Sequence, residues 1–222
     1  MNIKLFCEAI IKFILGIILV GMLLFIPGSF SYWPGWLFMG LLFIPMFIVG
    51  IIMMIKNPNL LRRRLKNMES EKEQKVIILF SGLMFILGFL SAGLNYRFNW
   101  FILPNCVIWI GSIIFIISYI LYGIVLIQNP FLLRTIEVEK NQKLVDTGLY
   151  SIIRHPMYSI TILLFLSMSF VLGSLITFII FLIYPFIIIK RIMNEEKVLE
   201  KDLKGYKEYE KKVKYRLIPY IW

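Results

Sequence analysis

Residues 157–189 read MYSITILLFLSMSFVLGSLITFIIFLIYPFIII, a run without a single Asp, Glu, Lys or Arg. A straight helix crosses a bilayer in about 20 residues, so this run is too long for one perpendicular span. Gly173-Ser174 stands at its middle. The reading is a hairpin of two short helices turning at Gly173-Ser174, with one bent helix as the alternative. A hairpin returns the chain to the side it came from. It therefore brings together what flanks the run: Arg154-His155-Pro156 before it and Arg191-Ile192-Met193-Asn194-Glu195-Glu196 after it.

Four more apolar blocks lie upstream, with spans expected near 9–27, 36–55, 76–94 and 105–127. With the hairpin they make an all-α integral membrane protein of about six transmembrane helices, or five if the last run is one bent helix. The polar stretch after the hairpin, Arg191 to Val213, reads as a cytoplasmic amphipathic helix with Ile192, Leu199, Leu203, Tyr206 and Val213 as its apolar positions. The organisation is then a four-span scaffold over 1–127 and a functional core over 128–222.

Charge supports the hairpin. Lys4 and Lys12, the seven basic residues of 56–75, Arg134, Lys140, Lys143 and Arg154 in the 128–155 loop, and the ten of 190–222 fall on one side of a six-span chain; only Arg97 falls on the other. Basic loops stay in the cytoplasm, which puts both termini there. A single span over 157–189 would send the basic tail outside. The expected location is a membrane, with these basic segments on its cytoplasmic side. At 59% apolar the chain is not an ordinary soluble domain. Its net charge of +11 lies beside spans, which excludes a nucleic-acid-binding domain and suits anionic lipid headgroups. Phe25-Ile26-Pro27 offers no small-residue cleavage site, so the first span reads as an anchor. Cys7 and Cys106 belong to opposite membrane faces and are not expected to pair. Two cysteines and one histidine do not make a structural zinc site, and no metal is expected. No G-x-G-x-x-G is present to signal a dinucleotide-binding unit.

Asn57 to Leu65, with Arg62, Arg63 and Arg64, reads as an interfacial helix whose arginines snorkel. The chemistry is concentrated later. His155 is the only histidine of the chain, flanked by Arg154, Tyr150 and Tyr158. Pro156 suits the first turn of a helix, and the residue before a proline is driven toward extended backbone. Arg154 and His155 thus sit just outside a helix N-terminus, a place that favours anions. Glu195 and Glu196 fall on the apolar stripe of the following helix, where a merely solvated charge run would not be placed. Polar clusters at membrane depth are costly and mark function.

Leu144-Val145-Asp146-Thr147-Gly148-Leu149-Tyr150, Arg154-His155-Pro156-Met157-Tyr158, Glu195-Glu196, and the ending Gly205-Tyr206 through Tyr209 to Arg216-Leu217-Ile218-Pro219 together resemble the isoprenylcysteine carboxyl methyltransferase and phospholipid methyltransferase superfamily. Asn57-Pro58 through Arg64 and Asn129-Pro130-Phe131 extend the likeness loosely to bacterial members. Leu149 and Ile160 stand where that pattern usually has proline and glycine. The resemblance implies S-adenosylmethionine as cofactor, bound at the cytoplasmic face, with Tyr150, Arg154, His155, Tyr158, Glu195 and Glu196 lining its pocket. It implies a lipophilic acceptor entering from the membrane. A carboxylate acceptor needs a cation to orient it, from Arg154 or Arg191; an amine needs a base, from Glu196 or His155. A prenylated protein terminus, a small isoprenoid acid, a phospholipid amine and a xenobiotic thiol or phenol all fit this reading. Two other classes compete. Membrane sterol reductases share an Arg-His pair near a Tyr and use NADPH, but have a longer helical body. A non-enzymatic lipid-binding protein gives no reason for Arg154, His155, Glu195 and Glu196 to converge.

Overall fold

A computed structural model of the chain describes residues 3–65, 72–132, 138 and 142–222. Arg134 and Lys140 of the 128–155 loop lie outside the described residues. The elements are α1 (Ile3–Phe25), α2 (Trp33–Lys56), α3 (Pro58–Leu65), α4 (Lys72–Phe98), α5 (Asn105–Gln128), a 3-10 turn (Gly148–Ser151), α6 (Pro156–Val171), α7 (Leu175–Phe181), α8 (Tyr184–Asp202) and α9 (Tyr206–Lys212). No strand occurs among the described residues; Ile102 and Ser174 form an isolated bridge.

Prolines set the starts of several helices, as their fixed φ and missing N–H predict. Pro34 lies in the first turn of α2, Pro58 and Pro156 open α3 and α6, and Pro185 lies in the first turn of α8. Pro45 sits inside α2. Among the described residues, five helical stretches are long and apolar enough to cross a membrane: Ile3–Phe25, Trp33–Lys56, Lys75–Phe98, Asn105–Gln128 and Leu175–Asp202, the last joining α7 and α8. The first four overlap the expected spans and run beyond most of their ends. At 16 residues, α6 is about 24 Å long, short of a bilayer core.

The chain reverses between α6 and α7. Gly173 has φ 63, a left-handed backbone that an L side chain rarely adopts. Its carbonyl accepts from the Leu103 N–H at 2.9 Å, and the Leu175 N–H donates to Phe101 at 3.4 Å, which ties the turn to the α4–α5 linker. Ser174 caps α7 by accepting from the Thr177 N–H at 3.2 Å. The helix expected over Arg191 to Val213 differs in the structure. Its first part continues α8, which runs unbroken out of the apolar run to Asp202; Leu203 to Gly205 then break the chain, and α9 starts anew.

The core is aromatic and lies where α2, α4, α5, α6 and α7 converge. Phe38, Phe115, Phe181, Leu172 and Val171 are almost wholly buried. Gly111 lets α5 approach α6: a Cβ there would lie 2.5 Å from the Phe170 Cβ and 3.1 Å from Val171 N. Helix pairs in lipid gain little from apolar burial, so close packing through small residues carries them. Outward faces are bands of exposed Ile and Leu, among them Leu15, Ile18, Ile48, Ile113, Ile117 and Ile120. Trp33 and Trp109 face each other at 6.0 Å between ring centres, and Trp36 and Trp100 share that end of the bundle. Such aromatics belong at a membrane–water boundary.

Candidate functional site

At the opposite end, the start of α6 meets the polar half of α8. Glu196 is buried, 3% exposed. Its Oε1 accepts from Arg154 Nε at 2.9 Å and lies 3.1 Å from His155 Nε2. Its Oε2 accepts from Arg216 Nε at 2.7 Å. One carboxylate therefore joins three side chains from two distant stretches of chain. A buried charge of this kind is tolerable only because each oxygen is matched.

Arg154 is almost equally committed. Its Nη1 lies 3.2 Å from Glu210 Oε1 and donates to the Val213 carbonyl at 3.3 Å. The backbone repeats the pairing: the Arg154 N–H donates to Tyr215 at 2.9 Å, and the His155 N–H to Arg216 at 3.0 Å. Ser159 Oγ donates to the Leu217 carbonyl at 2.6 Å, and Tyr209 Oη to the Tyr150 carbonyl at 2.7 Å. The C-terminal segment is thus laced onto the Arg-His-Pro motif. His155 caps α6 with φ −124 and ψ 60, off the helix as its position before Pro156 requires.

Beside this lock lies a cleft of about 820 Å³, open mouth included. Tyr150, Arg154, His155, Tyr158, Arg191 and Glu195 all line it. Tyr158 Oη donates to Glu195 Oε2 and accepts from Arg191 Nε at 2.9 Å. The Arg191 guanidinium also stands 6.0 Å from the Tyr158 ring centre, at the limit of a cation–π contact.

Glu196 is the exception among the residues singled out from sequence: it does not line the cleft. On a helix, adjacent residues point about 100° apart, and here only Glu195 reaches the open space. Three residues not expected to belong to the site now join it. Arg216 is the third partner of Glu196, while Tyr206 and Tyr209 line the cleft. The Tyr206 hydroxyl is buried and has no hydrogen-bond partner among the described residues. Burial, reinforced by the charge of Glu196, pushes the Tyr206 phenol well above its ordinary pKa. Burial and the neighbouring Tyr150 do the same to Tyr209. Both remain neutral hydroxyls, and Tyr206 keeps a proton to donate.

Ile160, where glycine was expected, is buried against Val125 and Tyr150 between α5 and α6 and does not line the cleft. The substitution changes helix packing and leaves the cleft walls intact. Among the described residues no group of three or more His, Cys, Asp and Glu is placed to hold a metal.

Residues 107–201 match the model of the Isoprenylcysteine carboxyl methyltransferase (ICMT) family, which bears out the resemblance carried by the sequence motifs. The matched stretch runs from α5 through α8 and contains Arg154, His155, Glu195 and Glu196. It supports a membrane methyltransferase. No curated protein matches the chain.

Proposed function

We propose that this chain transfers a methyl group from S-adenosylmethionine to a lipophilic acceptor at the cytoplasmic face of the bacterial membrane, with an isoprenylcysteine-type carboxylate as the acceptor group. The observation that carries the reading is the composition of the cleft. Glu195, Arg191 and Tyr206 line one space, beside a motif fixed by a buried carboxylate.

The donor set fits this cofactor. It is a zwitterion with a sulfonium and a flat base, so it needs carboxylate, cation, aromatic and apolar surfaces together. Glu195 supplies negative charge, Arg191 positive charge, and Tyr150, Tyr158, Tyr206 and Tyr209 supply ring faces. Leu144, Val145, Leu199 and Leu203 supply the apolar wall. When bound, the cofactor supplies an electrophilic methyl group.

The residues then divide by task. Arg191 is the cation that orients an acceptor carboxylate, held at its Nε by Tyr158. A carboxylate is already nucleophilic, so no general base is required. Arg154 and Glu196, both expected to act directly, are positioning residues. Arg154 Nε and Nη1 are committed to Glu196, Glu210 and Val213, and Glu196 holds the start of α6, the end of α8 and Arg216 in one arrangement. In-line displacement depends on such fixed geometry and on exclusion of water. We further propose that α6 and α7–α8 complete six crossings, that both termini are cytoplasmic, that 1–127 is scaffold and 128–222 the methyltransferase core, and that the polar half of α8 with α9 forms the amphipathic cap of the cleft.

Titration of the detergent-purified protein with S-adenosylmethionine and with NADPH tests the class. Saturable binding of S-adenosylmethionine alone is expected; binding of NADPH alone would replace the reading by a reductase, and binding of neither would make the chain non-enzymatic. A methyl-release assay over carboxylate, amine, thiol and phenol lipids tests the acceptor, with the carboxylate expected to turn over.

A further inference from the structure

A second cavity lies away from the cleft and shares none of its lining residues. It is a groove between α1, α2 and α3 of about 1100 Å³, open side included. Phe13 packs against Phe43 at 5.7 Å and against Phe47 at 5.3 Å between ring centres, which closes the groove toward the bundle centre. Below that contact α1 and α2 leave room: a Cβ built on Gly50 meets nothing within 4 Å. Leu61 and Leu65 of α3 line the far end. Lys12 Nζ bridges from α1 to the Leu65 carbonyl at 2.6 Å and to Glu8 at 2.7 Å, tying α3 across the groove.

Apart from Lys12, every lining side chain is apolar. The sequence that forms the α3 end of the groove is strongly basic: Lys56, Arg62, Arg63 and Arg64 occur within ten residues that contain no Asp or Glu. Glu8 is the only acidic residue before position 69, and it is bonded to Lys12. An apolar slot that ends beside clustered cations matches a chain-bearing anion. Juxtamembrane arginines attract anionic headgroups, and the slot holds the acyl chain that keeps such a headgroup beside them.

We propose that this groove is a binding site for one anionic phospholipid, its acyl chain lying along Gly50 and its phosphate meeting the basic residues of α3. The site stands apart from the methyl-transfer reading and holds whether or not that reading does. It gives α3 a task beyond lying on the membrane surface: it ties a lipid to the first two helices.

Native mass spectrometry of the detergent-purified full chain, titrated with phosphatidylglycerol and phosphatidylcholine of identical acyl chains, tests it. Phosphatidylglycerol is expected to bind about fivefold more tightly, the worth of roughly one basic residue at a membrane surface. Gly50→Trp fills the slot and should abolish that preference, while Gly82→Trp, another glycine whose added Cβ meets nothing within 4 Å, should keep it. The triple Arg62→Gln, Arg63→Gln, Arg64→Gln should equalise the two lipids with the slot intact. If Gly50→Trp does not fold, Gly50→Leu and the triple variant decide. Equal retention of both lipids by the unmodified chain overturns the proposal, as does unchanged selectivity in the Gly50 variants. Full competition by soluble glycerophosphate would reduce the site to a headgroup patch, and a dimer lost on filling Gly50 would make a second copy of the chain the occupant.

Discussion

Glu195 and Glu196 are neighbours with opposite fates, and substitution separates them. Glu195 faces the cleft; Glu196 is enclosed by Arg154, His155 and Arg216. Glu195→Gln should weaken S-adenosylmethionine binding by about 1.5–3 kcal/mol, the range for hydrogen bonds to charged groups, with thermal stability nearly unchanged. Glu196→Gln leaves two arginines facing a neutral amide in a buried place. It should cost about 3 kcal/mol of stability, read by thermal unfolding in detergent, and lower activity through lost order. Glu200→Gln, exposed on the same helix, should change neither. If Glu195→Gln unfolds the protein and Glu196→Gln only weakens binding, the two roles are reversed. Arg154→Lys follows the same logic. Lysine keeps the charge but cannot reach Glu196 and the Glu210–Val213 pair together from one planar group. Methyl transfer should fall at least about tenfold, near 1.4 kcal/mol. Full activity in Arg154→Lys would mean that a single positive charge suffices there and that the forked contacts are dispensable.

Between elements, α5 approaches α6 closely at Gly111. An added methyl would press on the Phe170 Cβ and on backbone at Val171, and neither can swing away. Gly111→Ala should lower stability by about 1–3 kcal/mol, the cost of overpacking. Gly82→Ala, with open space around it, should be neutral; equal melting temperatures for the two would mean that the helices separate freely there. Much of this layer was legible in the sequence. Apolar blocks, prolines and the glycine inside 157–189 located the first four spans and the reversal at Gly173, because each reflects local chain physics. Helix ends were set too short, since polar residues such as Asn95 and Tyr96 still sit inside α4, satisfied by partners that only folding supplies. The break at Leu203 to Gly205 was missed because the apolar positions on either side share one helical spacing. Arg216 stands in the ending that carries the family resemblance, but its pairing with Glu196, 20 residues away, has no local signature. Which of Glu195 and Glu196 reaches the cleft depends on the rotation of α8, and both sat on the same broad stripe.

For the whole molecule, the cleft requires the 128–155 loop and the 190–222 tail to share one side of the membrane. The contact between Arg154 and Glu196 already joins the two segments, so the path between them must cross an even number of times or not at all. Charge then selects the side. In the proposed six-span arrangement, 23 of the 24 basic residues of the sequence would fall at the cleft end and Arg97 at the other. The aromatic cluster of Trp33, Trp36, Trp100 and Trp109 lies at the Arg97 end, as a membrane boundary poor in positive charge would have it. Holding the cleft end outside would place the basic loops against the orientation rule many times over. The expected arrangement is checked by cysteine labelling in intact cells. Cys7 and Cys106 are both exposed and must first be replaced by serine. In that background a membrane-impermeant maleimide should reach Asn99→Cys from outside. Lys143→Cys and Lys214→Cys should react only after the membrane is opened. Labelling of Lys143→Cys but not Lys214→Cys from outside would divide the cleft between two compartments and end the proposal of a single site. Labelling of both from outside, with Asn99→Cys protected, would keep the site whole but turn it away from the cytoplasm, where its methyl donor is made.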